Sequence, residues 1–185
     1  EAANQDITAQ VVSSGWISAP LTPDRAKEIQ IRITPISPLS YGAEKVFVLK
    51  CFSTNDSARS DAAKIYLTIQ AANAPGVQSE ENPGGAPGAE SANVISNVNK
   101  NGSQPDAVIK LDGDNVWTGK NIFETEDSQI TQIKTVIVNP GGNVIFNFQI
   151  INSGVKIDDF VVRGGILADK TWRIKYIDGK NDVTK

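Results

Sequence analysis

Asp112-Gly113-Asp114-Asn115 gathers three oxygen-bearing side chains within four residues, and Glu124, Glu126 and Asp127 follow close behind. Carboxylate and amide oxygens are the hard ligands that calcium takes. The spacing does not match an EF-hand loop, and Asp-Gly-Asp-Asn equally composes a tight turn. Calcium at Asp112, Asp114 and Asn115 is the one cofactor the residues admit; otherwise none is expected. Trp117 follows the same polar loop. An aromatic face on a β-rich chain can stack on a sugar ring, which makes Trp117 the candidate contact for a surface polysaccharide. Trp172 alternates with Ile174 and Tyr176 along an apolar face and is expected in a core instead.

Chemistry beyond these sites is hard to build. The chain has no histidine, which removes Ser-His-Asp and Cys-His catalysis and the commonest transition-metal ligand. Acidic residues are plentiful, but no pair is flanked by the aromatic, cleft-forming residues that glycoside hydrolysis needs. Asp158-Asp159 beside Phe160 reads as the start of a strand. The single Cys51 lies in an apolar run and reads as a small buried side chain. We therefore expect no enzyme. A formal net charge of −3 without a long basic run argues against a nucleic-acid footprint. A hydrophobic content of 39% and a mean hydropathy of −0.23 leave no membrane span.

The elements that would position these residues are strands. Val144, Phe146, Phe148 and Ile150 alternate with mostly polar neighbours between the turn-forming Pro140-Gly141-Gly142 and Asn152-Ser153-Gly154. Ile29, Ile31 and Ile33 alternate likewise, as do Ile65, Leu67 and Ile69. Further strands are expected near 107–111, 133–138, 157–162 and 172–177. Val46 to Phe52 is almost continuously apolar, which predicts a strand covered on both faces or lying under a loop. No stretch sustains a helical period, so the expected fold is all-β, a sandwich or barrel. Residues 73–104 are rich in Gly, Pro, Asn and Ala and read as a linker. The division expected is an N-terminal half-sandwich, 1–72, the linker, 73–104, and a C-terminal β domain, 105–185.

Some passages resemble a known repeat. Gln104-Pro105-Asp106-Ala107-Val108-Ile109-Lys110, Gly119-Lys120-Asn121-Ile122, Asn152-Ser153-Gly154 and Trp172-Arg173-Ile174-Lys175-Tyr176-Ile177-Asp178-Gly179 are similar to its first part. Asp6-Ile7-Thr8, Ser14-Gly15-Trp16, Leu21-Thr22-Pro23 and Lys27-Glu28-Ile29 are similar to its second. The repeat is that of tandem immunoglobulin-like β-sandwiches in large bacterial surface proteins, here in circularly shifted phase. The resemblance implies an immunoglobulin-like sandwich split across the linker, at the cell surface or outside the cell. It covers most of the chain outside 73–103. The absence of methionine adds the expectation that the chain is processed, or excised from something longer.

Each half alone leaves an apolar face and unpaired edges, and a buried Val, Ile or Phe contributes about 2 kcal/mol. The halves must meet, within one chain or between neighbours. The expected function is accordingly a structural subunit of an extracellular filament, with identical subunits as partners and head-to-tail assembly by strand complementation. Ile29, Ile31, Ile33, Ile65, Leu67 and Ile69 from one half, with Phe146, Phe148, Trp172 and Ile174 from the other, are the expected assembly residues. The alternative is a carbohydrate-binding or adhesive module of a larger surface protein.

Overall fold

A computed structural model of the chain describes residues 4–36, 40–70, 102–124, 130–165 and 171–179. The elements in order are β1 (Gln5–Asp6), α1 (Thr8–Val12), β2 (Trp16–Ile17), β3 (Ala26–Pro35), β4 (Glu44–Ser53) and β5 (Ser60–Ile69). They continue with β6 (Pro105–Leu111), β7 (Ile133–Val138), β8 (Val144–Asn152), β9 (Phe160–Gly164) and β10 (Trp172–Asp178).

Two five-stranded sheets form, in the orders β1-β10-β3-β8-β6 and β2-β9-β4-β5-β7. Neighbouring strands are antiparallel except β5 and β7, which run parallel with Lys64 opposite Ile133 and Ile69 opposite Val138. The period-two alternation decides which side chains turn inward. Ile29, Ile31, Ile33, Ile65, Leu67, Ile69, Phe146 and Phe148 are all buried between the sheets. Phe47 meets Trp172 edge to face with ring centroids 6.0 Å apart. The fold is a β-sandwich.

Strands from either side of 71–101 interleave in both sheets. β3 lies between β8 and β10, and β5 lies between β4 and β7. The two segments thus meet within one chain. The register also defines two poles. At one, Val155 N–H donates to the Gly102 carbonyl, Ser153 N–H to that of Gln104, and Asp24 N–H to that of Asn152. At the other, Gln70 N–H donates to the Val138 carbonyl and Ile36 N–H to that of Thr171. Asp61, near the start of β5, accepts from Ala107 N–H and fixes that end of β5 at the first pole. Residues 70 and 102 are therefore separated by the length of β5, ten residues or about 30 Å. Residues 4 and 179, by contrast, lie side by side, because Gln5 pairs with Asp178.

Four expectations need correction. β4 is buried on one face only: Phe47, Leu49 and Cys51 point inward, while Val46 is 43% exposed on the outer face. Its apolar outer residues are half covered by neighbours, as Phe52 is by the guanidinium of Arg163 at 5.5 Å. The linker reading ran too far, since Ser103 and Gln104 are buried and the Gln104 carbonyl is bonded at the first pole; 73–101 lie outside the described residues. β9 starts at Phe160, not Ile157, because Asp158 makes an isolated bridge to Leu21 and Ile157 is 59% exposed. A short helix, α1, turns Ile7 and Val11 into the core, where no helical stretch was expected.

Candidate functional site

The Asp112–Asn115 segment is a turn after β6. Gly113 has φ +93°, a conformation that glycine takes without a Cβ penalty, and Asp114 N–H closes the turn on the Leu111 carbonyl. The Asp114 carboxylate accepts from Leu111 N–H at 3.3 Å and pairs with Lys134 at 2.9 Å. Asp112 accepts from the Asn147 amide at 3.1 Å. Two of the three proposed calcium ligands thus serve the turn and its neighbours, and Asn115 is exposed beside them. Glu124 accepts from Thr131 through both its backbone N–H and its hydroxyl, while Glu126 and Asp127 lie outside the described residues. Among the described residues, no group of three Asp, Glu, Cys or His is arranged to hold a metal ion. Trp117 is half buried, with the Lys110 ammonium 4.9 Å from its ring centroid. A cation–π contact thus occupies one face of the ring.

Buried carboxylates are what the residue pattern did not reveal. Asp61 and Asp106 are both 0% exposed. Asp61 accepts from four donors: the N–H groups of Ala62 at 2.8 Å, Ala107 at 2.6 Å and Glu124 at 2.9 Å, and the Gln132 amide at 2.7 Å. One side chain on β5 therefore fastens β6 of the opposite sheet and both ends of the 124–132 connection. Asp106 accepts from Asn121 N–H and the Ser153 hydroxyl. Burial pushes Asp61 up to about 8 and Asp106 up to about 6, against the downward pull of these donors. Asp158, 2% exposed, takes hydrogen bonds from Ser53, Thr54 and Asn55. The available signal was composition, because aspartate is depleted in strands and Asp61 and Asp106 both sit in them. Cys51 is wholly buried as expected, and burial first, then the charge of Asp61, raises its thiol pKa.

The proposed assembly residues lie in the chain's own core, with Ile174 partly buried against it. Beside them, residues 4–21 form a hook along the β9–β10 side of the sandwich. β1 is the edge strand of one sheet and β2 of the other, with α1 crossing between them. Ile7 is 0% and Val11 1% exposed, and Trp16 and Leu21 pack against the core. Ile7 N–H donates to the Tyr176 carbonyl, and Tyr176 N–H donates to the Thr8 hydroxyl, both at 2.9 Å. Tyr176 itself is wholly buried, and its hydroxyl has no hydrogen-bond partner among the described residues. Opposite it, a Cβ on Gly164 would lie 2.2 Å from that oxygen, so close packing demands glycine there.

No helix among the described residues is long and apolar enough to cross a membrane. Compared with known proteins, the chain matches no family model, no curated protein and no solved structure.

Proposed function

We propose that the chain is a structural subunit of an extracellular or cell-surface fibre, an immunoglobulin-like sandwich whose identical copies join head-to-tail by completing one another's sheets. The supporting observation is the interleaving of its two segments. β3 of the first segment is hydrogen-bonded on both sides by strands of the second, Phe148 opposite Ile29 and Ile174 opposite Ile33. Cohesion between separate segments is what this sequence encodes, through burial and main-chain pairing and without a reaction. The placement of residues 70 and 102 at opposite poles supports end-to-end stringing. The pairing of Gln5 with Asp178 is what a hairpin joining the two repeat parts would give, which supports the resemblance to tandem surface repeats.

Electron microscopy and light scattering of the purified chain over a concentration series test the reading. Rods or ladders of regular spacing are expected. A particle that stays at the mass of one 19.8 kDa chain up to millimolar concentration would refute it.

A further inference from the structure

Strand exchange between copies has two routes in this fold. Exchanging whole segments means withdrawing β3 from between β8 and β10 and the β4–β5 pair from between β9 and β7, which takes both sheets apart. The hook at 4–21 is different. β1 pairs with β10 alone and β2 with β9 alone, so lifting the hook breaks no pairing among the other strands. Its departure uncovers the places of Ile7 and Val11, which something apolar must refill.

We propose that the hook, residues 4–21, is the element exchanged between copies, each copy's hook filling the β9–β10 side of the next. This rests on the reading of the chain as a fibre subunit. The contacts that hold the hook run from hook to body, so another copy's hook reproduces each of them. Ile7 and Thr8 meet the backbone of Tyr176. Ser18 exchanges two hydrogen bonds with Phe160, its N–H donating to the carbonyl at 2.9 Å and its hydroxyl accepting from the N–H at 3.0 Å. Leu21 and Asp158 exchange backbone bonds of 2.8 and 3.1 Å.

The hinge supports exchange as well. Thr22 to Arg25 turns the hook back onto its own body, closed by Arg25 N–H on the Thr22 carbonyl at 3.1 Å. Within it Asp24 has φ +62°, a left-handed turn conformation that aspartate tolerates better than most residues with a Cβ. A hinge this short opens by extending one four-residue turn, which leaves the hook's own contacts available to a neighbouring copy. The contact is heterologous, hook into cleft, and such contacts propagate into open chains.

The test uses the full chain in a Cys51→Ala background with Gln5→Cys and Asp178→Cys, residues that face each other across β1 and β10. Opposed residues of an antiparallel pair lie within the separation a disulfide spans. The protein is refolded near the roughly millimolar effective concentration of a tethered segment, then oxidised and run without reductant. A ladder of covalent multimers is expected. A second pair, Asp6→Cys with Ile177→Cys, repeats the experiment in case the first variant fails to fold or to oxidise. Disulfides confined to single chains in both pairs overturn the proposal. Fibres held with only internal disulfides overturn it while leaving the fibre reading intact. Interchain disulfides in closed dimers without fibres uphold hook exchange and remove the fibre reading.

Discussion

Asp61 ties four separate donors of the fold to one side chain. Its carboxylate satisfies N–H groups from β5, β6 and the segment before β7, and each would be left unpaired in the interior without it. A buried donor that loses its acceptor costs about 1–3 kcal/mol. Asp61→Ala should therefore destabilise the chain by about 3 kcal/mol or more, read from urea unfolding. The pH dependence has a definite sign. Asp61 and Asp106 are raised above their ordinary value, so the folded chain holds protons that the unfolded chain releases. Stability falls with rising pH, by at most about 1.4 kcal/mol per unit for each group. Both act between about 4 and 6, and Asp61 alone between about 6 and 8. Urea titrations across that range should show the decline, and Asp61→Asn should flatten its upper half. Tyr176 gives the opposite kind of prediction. Its hydroxyl is buried without a partner among the described residues, so Tyr176→Phe should leave stability unchanged or raise it by about 1 kcal/mol. Beyond the oddity of an aspartate within a strand, none of this was legible in the sequence. Apart from its neighbour Ala62, Asp61 finds its partners 46 to 71 positions away, and no local pattern points to them.

Among the elements, the strands that alternate cleanly were legible and those that depend on neighbours were not. Ile29, Ile31 and Ile33 specify β3 and its inward face by spacing alone. β4 misled because residues on its outer face are as apolar as those inside, and only its neighbours determine which face is exposed. The hook escaped because α1 is a five-residue helix, too short to show a period, although Ile7 and Val11 stand four apart as one face of a helix requires. Ile7→Ala should destabilise by about 2–5 kcal/mol, the range for truncating a buried isoleucine. Ile137 on the edge strand β7 is the control, since it is 58% exposed. Ile137→Lys should shift the unfolding midpoint by less than about 0.5 kcal/mol equivalent. Similar losses at both positions would mean that the hook does not complete the core.

At the scale of the molecule, the sequence shows that two apolar half-sets must combine but not where. Pairing partners such as Ile31 and Phe146 are separated by more than a hundred residues, and periodicity carries no register between them. The combination can be tested directly. Residues 1–70 and 102–185 expressed as separate chains should each lack fixed tertiary structure and acquire it on mixing, followed by near-ultraviolet circular dichroism. Two fragments that fold independently would contradict the interleaved sheets.

The disposition of residues 4, 70, 102 and 179 also sets how the sandwich answers to tension. A pull applied at residues 4 and 179 acts where β1 meets β10, a pair only two residues long, and peels its hydrogen bonds apart in succession. A pull applied at residues 70 and 102 runs along β5 and β6, so their ladders are sheared and many bonds resist together. The same fold is thus soft in one direction and stiff in the other.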